Sequence, residues 1–266
     1  MVFERSVDTG HRTVRYLEAG PGWPVVLLHA FPLSSDMWRP QLDRAPDGWR
    51  LLAPDLKGFG PAGGTPASSL DDMAGDLVAW LDALRIESAT IGGASMGGYL
   101  TFALFRLAPE RFDAVVLANT RATADSEEAR AARDRMSELV RSSGPAAVAD
   151  QMLPKLLGDT TRRSRPQLAP LVRALIERNS VEGLDGAIQA MKGRPDSRDL
   201  LAGMGRPALI VAGGEDAIIA PAEGEAMQRQ LPRSQLVVLP GAGHLSNLEA
   251  PEGFSTALEN FLRANL

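Results

Sequence analysis

The sequence predicts an α/β fold: a mostly parallel sheet covered by helices on both faces, with an all-helical segment inserted between two of its strands. Three observations predict it. Short apolar runs alternate with helical patterns from Pro24 to Asn119, as strands buried on both faces of a parallel sheet do. The alternation stops from Arg121 to Arg194, a stretch rich in Arg, Ala, Glu and Met that holds no clear strand. It resumes at Pro207 with P-A-L-I-V-A and closes in an amphipathic helix. We therefore expect a sheet core from residues 1–120 and 195–266, and a helical cap from residues 121–194.

The elements follow in order. Two alternating strands flank a turn at Asp8-Thr9-Gly10, the pattern of a hairpin. Gly20-Pro21-Gly22 breaks the chain before a buried strand, Pro24 to Leu28, which delivers into the loop His29-Ala30-Phe31-Pro32-Leu33. Trp38 to Leu42 is a short amphipathic piece, and Arg50 to Ala53 is the next strand, ending at Pro54-Asp55. The glycine-rich run from Lys57 to Gly64 lacks G-x-x-x-x-G-K-[ST] and opens no helix, so it reads as a surface turn rather than a phosphate cradle. Ser69-Leu70-Asp71-Asp72 is a capping-box signature for a helix with Met73, Leu77, Trp80, Leu81 and Leu84 on one face.

Ala89 to Gly92 is a strand, Tyr99 to Leu107 a helix, and Asp113 to Ala118 a strand that is apolar after its first residue. In the insert, breaks at Gly144-Pro145, Gly158, Pro166 and Gly193 to Pro195 delimit four helices, about Ser126–Arg141, Pro145–Leu157, Pro166–Arg178 and Val181–Met191. An insert of this length in a compact domain usually serves function. Pro207 to Ala212 is a strand, Pro221 to Gln230 a helix, Gln235 to Leu239 the last strand, and Pro251 to Leu262 the last helix.

Composition removes several classes of function. A net charge of −5 offers a nucleic acid no electrostatic attraction. The absence of cysteine excludes disulfides, thiolate catalysis and cysteine metal sites. The N-terminal stretch carries no apolar core of a signal segment, and runs such as Val25 to Leu28 are far too short to span a bilayer. The expectation is a soluble, cytoplasmic protein with no membrane partner.

The chemistry centres on Thr90 to Tyr99, T-I-G-G-A-S-M-G-G-Y, which contains the G-x-S-x-G pentapeptide Gly93-Ala94-Ser95-Met96-Gly97 between a strand and a helix. A serine raised on a sharp strand-to-helix turn leaves no room for side chains two residues either side, which Gly93 and Gly97 answer. Gly98 would let the helix pack close to its strand. The turn aims the Met96 N–H, at a helix N-terminus, at any anion forming beside Ser95. Alone the pentapeptide is weak, because glycine is 26 of 266 residues. The rest of the chain must decide.

A serine hydroxyl needs a base, and the base needs a group to orient it. The chain has three histidines, His11, His29 and His244. Catalytic groups on a parallel sheet gather where strands deliver into their C-terminal loops, which fits His29 and His244 but not His11. Of these only His244 follows Ser95, as the order serine, acid, histidine requires. The same test selects Asp216, just beyond the P-A-L-I-V-A-G-G strand. Asp216 is preferred to its neighbour Glu215 because adjacent residues point in different directions. His29 reads as a locally hydrogen-bonded loop histidine, and the Phe31 and Met96 N–H groups as an oxyanion hole.

These stretches make the chain resemble the α/β-hydrolase fold over nearly its whole length. Within it, the chain is similar to small bacterial carboxylesterases and 3-oxoadipate enol-lactonase-like hydrolases. The resemblance is carried by H-A-F-P-L-S-S-D-M-W, P-D-L-K-G-F-G, G-G-A-S-M-G-G-Y, L-A-N-T-R-A-T-A-D, G-G-E-D-A-I-I-A-P and P-G-A-G-H-L-S-N-L-E-A-P-E. It implies a triad of Ser95, Asp216 and His244, oxyanion donors at Phe31 and Met96, and a cap at Arg121 to Arg194. Three departures stand out: Ala30 where the family usually has glycine, Lys57 for a frequent arginine, and Pro61-Ala62 for a small polar pair. A serine nucleophile also sets the chain apart from the family's dehalogenase and epoxide-hydrolase branches, which attack with a carboxylate.

The expected activity is hydrolysis of carboxylic esters with small to medium acyl chains, through an acyl-enzyme on Ser95, with no metal or organic cofactor. A lactonase using the same triad is the near alternative. A perhydrolase of haloperoxidase type and a non-enzymatic ligand receptor stand further off. Met136, Met152, Leu153 and Leu156 could line an acyl pocket, though core packing explains them as well; Trp38 is equally ambiguous.

Overall fold

The structure, a computed structural model, describes residues 1–60 and 65–266. Eight strands form one sheet in the order β1-β2-β4-β3-β5-β6-β7-β8. They are β1 (Val2–Asp8), β2 (Thr13–Ala19), β3 (Trp23–Leu28), β4 (Trp49–Pro54), β5 (Ala89–Ala94), β6 (Phe112–Ala118), β7 (Ala208–Gly213) and β8 (Ser234–Leu239). The first two form the expected hairpin, and β2 also runs antiparallel to β4. The strands from β4 to β8 are mutually parallel.

Among the described residues there are eleven α-helices: α1 (Arg39–Leu42), α2 (Leu70–Ala83), α3 (Met96–Leu107), α4 (Glu127–Leu156), α5 (Asp159–Ser164), α6 (Leu168–Glu177), α7 (Val181–Lys192), α8 (Arg198–Leu201), α9 (Pro221–Gln228), α10 (Ser246–Glu249) and α11 (Pro251–Asn265). They cover both faces of the sheet. Gly224 of α9 packs on Ile210, Ala212 and Leu236, whereas Gly253 of α11 packs on Leu239. Leu236 and Leu239 lie on opposite faces of one strand.

The central strands explain the core. Every residue of β5 and of β7 is buried, as parallel strands covered on both faces require. The edges differ: β1 is mostly exposed and β8 only half-buried. Helix α2 starts where the capping box predicts, with the Ser69 hydroxyl accepting from the Asp72 N–H at 3.0 Å. Its Met73, Leu77, Trp80 and Leu81 are buried, and Leu84 is partly buried against the same core.

The all-helical segment between β6 and β7 is where the sequence predicts it. The two expected helices about Gly144-Pro145 form one long element, α4, bent at Gly144, where φ is 73° and ψ −175°. That positive φ interrupts the helix and glycine meets it without strain. The short α5 was not expected; α6 and α7 fall within two residues of the predicted spans. Both α6 and α7 pack on α4.

The sheet also fixes where chemistry can gather. Chain order reverses between β3 and β5, which lie side by side with Leu28 opposite Gly93. A reversal of this kind opens a crevice beyond the carboxyl ends of the two strands. The loops from β3 and β5 that enter it carry Phe31 and Ser95.

Candidate active site

Ser95 is the one-residue link between β5 and α3, with φ 53° and ψ −110°. A non-glycine residue held there stores roughly 1–3 kcal/mol of strain. Two bonds hold it: the Ser95 N–H donates to the Ala118 carbonyl, and the Ser95 carbonyl accepts from the Thr120 hydroxyl, both at 2.9 Å. The flanking glycines are explained by distance. A Cβ at Gly93 would sit 2.5 Å from the Leu28 carbonyl oxygen, and one at Gly97 would sit 2.3 Å from it. Gly98 abuts the Thr120 side chain, so its close packing is against the turn after β6 rather than against β5.

The loop after β3 is built around His29. Its ring is fully buried, edge-on to Phe59 at 4.8 Å. Nε2 accepts from the Leu56 N–H at 3.1 Å, so Nδ1 carries the proton and donates to the Ala30 carbonyl, also at 3.1 Å. Burial pushes the His29 pKa down to about 4, against the pull of Asp55. The ring is a neutral strut, as its sequence context suggests. Ala30 is fully buried, its N–H against the Met37 sulfur at 3.2 Å and its carbonyl also accepting from Leu33 N–H. Among the described residues, neither the Phe31 nor the Met96 N–H has an acceptor within the protein.

Asp216 and His244 meet. The turn after β7 presents Asp216, whose Oδ2 lies 2.8 Å and Oδ1 3.0 Å from His244 Nδ1. Oδ1 also accepts from the Ile218 and Ile219 N–H groups at 2.8 and 2.9 Å. Burial opposes ionisation of this carboxyl. The His244 ring, the Ile219 N–H and the Asn119 amide outweigh it and hold the pKa below the usual aspartate value. Glu215 turns the other way, accepting from the N–H and hydroxyl of Thr160 in the insert at 2.8 and 2.6 Å. With Nδ1 committed to the carboxylate, Nε2 is the ring atom free to take up a proton. Among the described residues, no hydrogen bond joins His244 to Ser95, which sits at the same edge of the sheet.

The helical insert is tied to the loops after β3, β4, β7 and β8. The Asn179 amide, between α6 and α7, donates to the Pro32 carbonyl at 2.9 Å, and its oxygen accepts from Gly60 N–H at 3.1 Å. The Leu156 carbonyl accepts from the N–H groups of His244 and Leu245. Glu249 receives the N–H groups of Gly158 and Leu245 at 2.8 and 3.0 Å.

A sequence profile of the alpha/beta hydrolase fold matches residues 24–251. The chain belongs to the α/β-hydrolase family. This hydrolase is 31% identical over 241 residues to a 3-oxoadipate enol-lactonase of Acinetobacter baylyi, spanning 90% of this chain and 88% of the relative. It superposes on a thermophilic esterase from Thermogutta terrifontis with a TM-score of 0.93 and 38% identity, covering 98% of each chain. An enol-lactonase from Burkholderia xenovorans LB400 gives a TM-score of 0.87 at 26% identity, over 98% of this chain and all of that one (100%).

The structure places several other residues singled out in the sequence. Trp38 is wholly buried and packs on Phe254, ring centres 5.5 Å apart. Leu156 is wholly buried, and Met136, Met152 and Leu153 are partly buried against the core. Lys57 pairs with Asp72 at 2.6 Å, while Pro61-Ala62 lie outside the described residues. Sequence reasoning passed over Asn119, whose side chain reaches Asp216. Its one signal was position, at the end of a strand beside the serine strand.

Proposed function

We propose that this α/β hydrolase cleaves carboxylic esters of small to medium acyl chains through an acyl-enzyme on Ser95. The observation that carries the reading is the Asp216–His244 pair at the edge where Ser95 rides its strained turn. In the proposed reaction His244 Nε2 takes the Ser95 proton as Ser95 Oγ attacks the carbonyl carbon. The N–H groups of Phe31 and Met96 receive the oxyanion. His244 then protonates the leaving alkoxide, and a water deprotonated by the same ring releases the acid. Residues 121–194 act as a cap that shapes the acyl and alcohol pockets over a core of residues 1–120 and 195–266. We place the enzyme in the cytoplasm, acting on a small-molecule substrate.

The esterase likeness at 38% identity supports this reading. The enol-lactonase relatives favour a second one with the same residues, in which acid and alcohol leave on one opened ring. A panel of p-nitrophenyl esters from acetyl to palmitoyl, with enol-lactones and simple lactones, separates them when each substrate is repeated with Ser95→Ala. Serine-dependent turnover peaking on short esters supports the esterase, and turnover confined to lactones supports the lactonase. Full turnover by Ser95→Ala would overturn both.

A further inference from the structure

The turn Ala118-Asn119-Thr120 at the end of β6 bonds Ser95 and Asp216 of the proposed triad directly and reaches the main chain of the residue before His244. Ala118 and Thr120 hold the main chain of Ser95. Asn119 reaches Asp216 and the residue before His244. It is buried, with φ 46°, a left-handed conformation that asparagine tolerates better than most side chains. Its main-chain N–H donates to the Val211 carbonyl on β7 at 2.8 Å. Its Nδ2 donates to Asp216 Oδ2 at 2.9 Å and to the Gly243 carbonyl at 3.2 Å, and its Oδ1 accepts from the Ser246 hydroxyl. The orientation of the amide is forced, because a carboxylate and a carbonyl only accept and the nitrogen must face them.

We propose that Asn119 is a positioning residue for the reaction: one amide fixes the Asp216 carboxylate and the main chain beside His244, so that ring and acid stay in register. The inference rests on the triad reading above. Its force lies in the division of labour on Asp216. Oδ1 is anchored by two main-chain N–H groups, whereas among the described residues Oδ2 has only the His244 ring and the Asn119 amide. Gly243 is the residue before His244, so the same nitrogen that orients the acid also restrains the histidine loop. Ser246, immediately after that loop, completes the clamp from the other side.

Asn119 does not titrate, but it sets the charge balance of groups that do. The ring of His244 is the titratable partner of Asp216. Glu215, the nearest acid in the chain, is engaged by Thr160, and Glu249 on α10 by the N–H groups of Gly158 and Leu245. Removing the amide leaves Oδ2 a stronger base. Whether the added proton resides on the acid or on the ring, the acid limb of the rate profile then moves to higher pH.

The test uses Asn119→Gly, which removes the amide while accepting the positive φ, and Asn119→Asp, which keeps the shape and adds a second carboxylate. Hydrolysis of p-nitrophenyl butyrate is followed from pH 5 to 9 beside wild type and Ser95→Ala. For Asn119→Gly, kcat is expected to fall roughly 10–100-fold with KM changed less than about 3-fold, and the acid limb to rise by about half a unit or more. Asn119→Asp should move the limb further. Because the position of the limb does not depend on how much protein is folded, poor yield cannot mimic the shift. Wild-type kcat and limb in Asn119→Gly beside an inactive Ser95→Ala overturn the inference alone, as does a fall in kcat with an unmoved limb. Turnover retained by Ser95→Ala overturns the triad reading and the inference with it.

Discussion

The main-chain N–H of His244 donates to the carbonyl of Leu156, the last residue of α4, across 3.1 Å. The histidine loop therefore hangs from the helical insert, and a cap moving at this end would carry the loop with it. Glu249 fastens the same junction by taking the N–H groups of Gly158 and Leu245 while almost fully buried. Glu249→Ala leaves the buried Gly158 N–H without an acceptor, at about 1–3 kcal/mol, while the Leu245 N–H keeps the Leu156 carbonyl at 3.3 Å. The melting temperature is expected to fall by roughly 2–12 °C, with kcat/KM reduced even at temperatures where the variant is folded. Calorimetry and ester kinetics at 25 °C check both; unchanged kinetics in the folded variant would separate the junction from the chemistry.

Two glycines in helical segments should respond in opposite ways to alanine. A Cβ at Gly97 would lie 2.3 Å from the Leu28 carbonyl oxygen, backbone that cannot step aside without moving β3. A Cβ at exposed Gly75 in α2 meets nothing within 4 Å. Gly97→Ala is therefore expected to lose at least about 2 kcal/mol and most of the hydrolytic turnover, since α3 carries the N–H of Met96, the proposed oxyanion donor. Gly75→Ala should gain about 0.5–1 kcal/mol from helix propensity, with activity intact. Urea midpoints of the two variants, taken together, test the packing at the serine turn against an internal control.

What could be read from the sequence depended on the range of the interactions involved. The strands β5, β6 and β7 are short runs dominated by small and apolar residues, broken only by Thr90 and Asp113, and each stands within two residues of where the pattern puts it. Gly144-Pro145 marks the bend in α4 because its effect is local. The short helices α5, α8 and α10 left no pattern, being too brief for periodicity and held by contacts made elsewhere in the fold. Strand-end reasoning reached Asp216 and His244, which the fold brings together. It could not reach Asn119, whose partners Asp216 and Gly243 lie 97 and 124 positions away. A single polar residue at a strand end says nothing of its bonds until the neighbouring strands are placed.

His29 gives a stability limb at mildly acid pH. Its pKa, near 6.5 in an unfolded chain, is pushed down to about 4 by burial. A histidine kept neutral in the fold contributes fully above the unfolded value, and the contribution is lost as pH falls through the folded one. Stability should therefore decline between about pH 6.5 and 4, by up to about 3 kcal/mol. His29→Gln offers a non-titrating acceptor to the Leu56 N–H. It is expected to be less stable at pH 8 but to show a much flatter profile over that window. Urea unfolding at half-unit pH steps checks it; an equally steep decline in the variant would assign the limb to another group.

Asp125 should govern a second window at lower pH. Its carboxylate, buried at the start of the insert, is gripped by Arg133 Nε at 2.6 Å and by Arg121 and Arg194 Nη2 at 2.8 Å each. Burial raises the Asp125 pKa, but hydrogen bonds and charge from Arg194 and Arg133 outweigh that and bring it down to about 2. A depressed carboxylate contributes above its unfolded pKa, near 4, and the contribution vanishes as pH falls through the folded value. The shift corresponds to about 2 kcal/mol. Arg194 is itself buried, with its guanidinium 4.0 Å from the centre of the Tyr99 ring on α3. Asp125→Asn therefore strands a buried cation that joins the insert to the serine helix, though the Met191 and Thr123 carbonyls still receive it. The variant is expected to be roughly 2–4 kcal/mol less stable at pH 7, and its deficit to shrink as pH falls from 4 towards 2, because wild type then loses the same charge. Paired denaturation curves across that range are the measurement, and a deficit that stays constant with pH would show that shape rather than charge holds this junction.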